Sequence, residues 1–104
     1  MKAVGWWWGL ALCASGAAFA QDLAPGNQAR SLAATCATCH GTEGRARGEV
    51  LPPLAGMKAE VMLQALADYR SGAQRGTVMP QIVKGYTEAQ LRLVAQYFAA
   101  QARP

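Results

Sequence analysis

Residues 36–40 read Cys36-Ala37-Thr38-Cys39-His40, and few structures are open to a chain that carries this run. Two thiols three positions apart share one helical turn. Each can add to one of the two vinyl groups of a haem, and the imidazole that follows then lies under the iron as its proximal ligand. A Cys-x-x-Cys-His run is the attachment signature of a c-type haem. Cys36 and Cys39 are therefore the expected thioether donors, and His40 an expected axial ligand. Such a chain needs little core of its own, because the haem supplies a large apolar surface for its helices to pack around.

The N-terminal residues support that reading. Met1 and Lys2 form a short positive region, Ala3 to Ala18 an apolar stretch holding Trp6, Trp7 and Trp8, and Ala18-Phe19-Ala20 a small-x-small cleavage signal. Residues 1–20 are expected to be a cleaved export signal, leaving residues 21–104 as a single domain in the periplasm. An uncleaved anchor fits less well, since the run is short for a span. Lipid attachment at Cys13 would want a small residue before it, where Leu12 stands. Cleavage removes Cys13, so the mature domain keeps only Cys36 and Cys39. An oxidising compartment normally favours disulfides, but this pair could close only a tiny loop and is better explained as thioether donors. Haem of this type is attached outside the cytoplasm, which agrees with export.

Size and charge narrow the class. The 84 residues from Gln21 to Pro104 suit one small domain that needs a cofactor or a staple. They carry nine basic and six acidic side chains, a net charge of +3, and two haem propionates would bring this near +1. A nucleic-acid binder would show a stronger basic patch, so that class is set aside.

Three helical stretches are expected, joined by Gly- and Pro-rich connections. The first runs from about Asn27, a possible cap, to the Cys36–His40 run, with Ala29, Leu32, Ala33 and Cys36 at helical spacing. The second covers about Lys58 to Arg70, with Val61, Met62, Ala65, Leu66 and Tyr69 as its apolar stripe. The last runs from Glu88 to about Gln101, opened by a capping box of Thr87 and Gln90, with Leu91, Val94, Ala95 and Phe98 on one face. No segment alternates at period two, so the fold class is all-α.

His40 is the only histidine, so a sixth iron ligand must come from elsewhere, and a methionine thioether is the natural candidate. Met62 sits mid-helix, where methionine usually fills core, and Met57 directly follows the Pro52-Pro53-Leu54-Ala55-Gly56 loop. Met79, in a loop held by Pro80 ahead of the last helix, is the expected ligand. A ligating imidazole normally donates its other N–H to a carbonyl, and the Pro52-Pro53-Leu54 segment is placed to offer one. Structural zinc wants four ligands, more than the mature chain's Cys and His supply. Dithiol exchange usually sits at a helix start in a βαβ setting, whereas here the motif ends a helix.

This order of features resembles class I cytochrome c: a helix ending in Cys36–His40, a Pro-x-Leu-x-Gly loop (Pro52, Leu54, Gly56), and a methionine before a final aromatic helix. The resemblance implies three main helices with loops wrapped around one covalent haem c and its iron. It puts the acceptor of the proximal imidazole proton on the Pro52 carbonyl and the helix crossing on Leu32 with Val94, Tyr97 and Phe98. The Leu54-Ala55-Gly56 loop, the helix bearing Leu66 and Tyr69, and the stretch from Thr77 to Thr87 look like the haem subunit of flavocytochrome c sulfide dehydrogenase. Single-haem cytochromes of the c4/c553 kind share much of this pattern. Two departures stand out. The mature chain lacks a tryptophan to bond a haem propionate, leaving Arg47, Tyr69 and Arg75 as candidates, and it has one haem motif where some such subunits carry two.

The expected function is electron relay by an exported monohaem protein that is not itself an enzyme. Its expected partner is a redox protein, a sulfide-oxidising flavoprotein in the closer resemblance, with no membrane span after signal removal. A freely diffusing periplasmic shuttle is the alternative within that class. The rival from another class is a haem enzyme or gas sensor with an open distal site, for which no distal His or Arg pair is evident near Met79.

Overall fold

Helix α1 spans Pro25–His40 and holds the whole Cys36–His40 run in its final turns. A computed structural model describes residues 25–104, so the expected export signal with cleavage after Ala20 lies outside the described residues. The helix begins two residues before Asn27, with proline at its first position. A missing amide there costs nothing, since no intrahelical acceptor exists for it. Asn27 is thus the third helical residue and not the cap.

Three further helices follow: α2 (Ala59–Ser71), α3 (Met79–Val83) and α4 (Glu88–Ala99), with a 3-10 turn at Thr42–Gly44 after α1. The fold is all-α, with no strand among the described residues. On α2 the inward face is Met62, Leu66 and Tyr69, while Val61, expected on that stripe, is 55% exposed. Successive helical residues turn by about 100°, so a helix aimed through positions 62, 66 and 69 leaves 61 at the edge. The segment expected as a Met79 loop forms the short α3, with Pro80 in its first turn, the one place where a helix tolerates proline.

Helix α4 opens as its sequence dictates. The Thr87 hydroxyl accepts from Gln90 N at 3.1 Å and the Gln90 side chain accepts from Thr87 N at 2.9 Å. Its apolar face packs chiefly on α1. The core is a cluster of Ala33, Met62, Val94, Ala95 and Phe98, with Leu32 and Tyr97 packed on its margin. Ala33 and Ala95 are nearly or fully buried; small side chains let packed helices lie close. Leu32, expected at the crossing, flanks it.

Two glycines turn the chain back toward the end of α1. Gly41 closes the helix by donating to Ala37 O at 2.9 Å. Its φ is +87°, and a β-carbon there would meet Arg45 O at 2.4 Å, so only glycine fits. Gly44 O then accepts from Leu54 N at 2.8 Å and from Ala55 N at 3.1 Å, and Gly56 N donates to Phe98 O at 2.9 Å. The proline loop is thereby pinned between the end of α1 and the end of α4. No helix among the described residues is long and apolar enough to cross a membrane.

Candidate cofactor site

The pinned loop brings Pro52 to His40. His40 is 7% exposed, the one buried polar side chain among the described residues, and its Nδ1 lies 2.8 Å from Pro52 O. A carbonyl only accepts, so Nδ1 carries the proton and the lone pair resides on Nε2. This is the tautomer a metal-binding imidazole needs, with its ring fixed by the second bond.

Beside this ring lies a cleft of about 280 Å³. All four helices and the proline loop line it: Cys36, Cys39 and His40 from α1, Pro52 and Leu54 from the loop, Met62, Leu66 and Tyr69 from α2, Met79 and Ile82 from α3, and Val94 from α4. No Asp, Glu, Lys or Arg faces it. Cys36 is half-buried, Cys39 is exposed, and both thiols are free. Burial pushes the Cys36 thiol up, the Cys39 charge adds to the rise, and a backbone hydrogen bond opposes it. The cleft thus disfavours a bare thiolate, a difficulty that a neutral thioether does not meet.

The donor chemistry fits a haem. An oriented imidazole, two free thiols one helical turn apart and a thioether sulfur share one apolar cleft, as an apolar macrocycle with a central iron requires. Among the described residues no group of three or more His, Cys, Asp or Glu could hold a separate metal ion.

Position alone does not separate the methionines, because Met57, Met62 and Met79 all line the cleft. Packing does. Met62 belongs to the buried core cluster and Met57 is packed against it. Met79 is half-buried at the first residue of α3 and outside that cluster. Of the expected propionate partners, Tyr69 lines the cleft, Arg47 lines a neighbouring surface hollow shared with Cys39, and Arg75 is exposed. Sequence reasoning missed Ile82 as a lining residue. Its signal is in the sequence, since positions 79 and 82 share a helical face, but a segment expected to be a loop has no face to compare.

Comparison with known proteins agrees with this geometry. The cytochrome c family model matches residues 24–101. The chain is 36% identical over 67 residues to the cytochrome subunit of sulfide dehydrogenase from Chlorobaculum tepidum, covering 64% of this chain and 60% of that one. It is 32% identical over 92 residues to cytochrome c4 from Pseudomonas aeruginosa, covering 88% of this chain and 45% of that one. It is also 32% identical over 67 residues to the thiosulfate dehydrogenase electron acceptor of Stutzerimonas stutzeri, covering 62% and 31% respectively. The chain therefore spans 60% or less of the length of these relatives.

Proposed function

This chain belongs to the cytochrome c family, and on that premise we propose that it is an exported, periplasmic monohaem electron carrier serving a sulfide-oxidising flavoprotein. Cys36 and Cys39 would hold the haem by thioether bonds, and His40 Nε2 and Met79 Sδ would ligate its iron. When bound, haem c supplies a one-electron iron(III)/iron(II) couple. The protein's part is to keep both ligands in place in either state. The Pro52 carbonyl orients the imidazole, the apolar cleft excludes water, and a neutral thioether favours the reduced metal, raising the potential. The observation that carries this reading is the meeting of His40, its Pro52 acceptor, both thiols and Met79 at one apolar cleft.

The partner is proposed from likeness to the Chlorobaculum tepidum subunit. A freely diffusing shuttle is the second reading, supported by the longer match to cytochrome c4. A mature charge of +3, lowered by the propionates, gives little long-range steering, so contact with a dedicated partner would rest on apolar surface and vary little with salt. The test mixes the purified haem protein with the flavoprotein encoded nearest to it, adds sulfide, and follows haem reduction at low and high ionic strength. Reduction at both salt concentrations is expected. No reduction by that pair, with ready reduction by quinol- or cytochrome-linked donors, would establish the shuttle instead.

A further inference from the structure

Among the described residues, the long-range hydrogen bonds of the segment bearing Met79 lie downstream of that residue. Residues 71–78, which lead into α3 from α2, are all exposed. Their bonds are local: Gln74 N donates to Asp68 O, and Ala73 N to the Ser71 hydroxyl. Downstream, Val83 at the end of α3 is 1% exposed, and there a side chain from α2 intervenes. Arg70 Nη2 donates to Val83 O at 3.0 Å and also to Tyr86 O. The Tyr86 hydroxyl in turn donates to Leu32 O of α1 at 3.4 Å.

Among the described residues Arg70 has no carboxylate partner, and the one ion pair joins Arg45 to Glu43. The Arg70 guanidinium donates to the carbonyl of Val83, the last residue of α3, which also accepts from Tyr86 N at 3.2 Å, and to the carbonyl of Tyr86 just beyond the helix. Hydrogen bonds from a charged donor are stronger than those between neutral groups. The bond to Val83 lies one helical turn from Met79, on the same short helix.

We propose that Arg70 is a positioning residue that clamps α3 and so holds the Met79 sulfur in the cleft. The inference rests on the reading of Met79 as sixth ligand. Losing the clamp frees α3 to swing out while the haem stays attached through α1, so an outside ligand competes more readily for the iron.

The test uses the ferric holoprotein and imidazole as the probe, following loss of the near-infrared sulfur-to-iron band. R70M is expected to bind imidazole about tenfold to a hundredfold more tightly than the parent, the range that charge-assisted hydrogen bonds imply. R70K, which keeps the charge on a shorter reach, is expected to fall between them and serves if R70M folds poorly. Global unfolding, read by far-UV ellipticity, should shift less than loss of the band does. A33G provides the control, since Ala33 is core, lies on α1 and does not line the cleft. Affinity within twofold of the parent in R70M, or an equal gain in A33G at matched loss of stability, would overturn the clamp. A parent lacking the sulfur-to-iron band would overturn the Met79 reading itself, and the clamp with it.

Discussion

Gly44 and Phe98 stand so close that a β-carbon on the glycine would lie 2.7 Å from Cδ1 of the ring. The same carbon would come within 2.8 Å of the backbone nitrogen of Ala55, and the φ of Gly44 is +76°. Phe98 is fully buried at the centre of the α1–α4 core, and Gly44 is the residue whose carbonyl pins the proline loop. Core packing and the orientation of His40 are therefore joined at this one contact.

Gly44→Ala should accordingly destabilise the protein by at least about 2 kcal/mol, since backbone strain and overpacking add. Adding Phe98→Leu should recover only part of the loss, because the clash with Ala55 is with main chain and cannot rotate away. Guanidinium unfolding of the two variants, followed by ellipticity, measures both effects. A Gly44→Ala protein as stable as its parent would mean that the turn can open without disturbing Phe98.

Thr87→Ala should cost about 1 kcal/mol through loss of the cap on α4, lowering Tm by about 4–8 °C for a domain of this size. The two capping bonds are reciprocal, so the Thr87→Ala, Gln90→Ala double variant should lose less than the sum of the single losses. Strict additivity would show that each bond acts alone.

Much of this was legible in the sequence, and the rest was hidden for identifiable reasons. The Thr87–Gln90 box is a local pattern that a short window carries whole, and helical spacing alone puts Met62, Leu66 and Tyr69 on the inward stripe. Helix α3 was hidden because five residues give too little periodicity to register and Pro80 reads as a breaker, although a first turn tolerates it. The closeness of Gly44 to Phe98 and the reach of Arg70 to Val83 depend on how distant segments fold together, which no window of sequence contains. Val61 falls on the expected stripe yet faces outward, because apolar character alone does not fix the angle at which a helix faces its core.

Changing both Cys36 and Cys39 to alanine should leave haem that acidified organic solvent extracts, or none at all. Each thiol lines the cleft beside the oriented imidazole, and thioether formation is the chemistry that this spacing serves. Because His40 and its Pro52 bond are untouched, any haem retained should still show imidazole ligation. Covalently bound haem in the double variant would place the attachment elsewhere.

The three methionines of the cleft should respond differently to truncation. Met79→Ala should abolish the near-infrared sulfur-to-iron(III) band and lower the potential, since water or nothing takes the place of the sulfur. Met62 is 4% exposed in the core cluster, so Met62→Ala should cost about 2–5 kcal/mol of stability and leave the band in place. Met57→Ala, at a half-buried position packed against that cluster, should also keep the band, at a smaller cost. Spectra of the three ferric variants, recorded with their unfolding curves, separate ligation from packing. If the band survives in Met79→Ala and vanishes in one of the others, the sulfur on the iron comes from the α2 side of the cleft, and the short helix α3 serves only to close it.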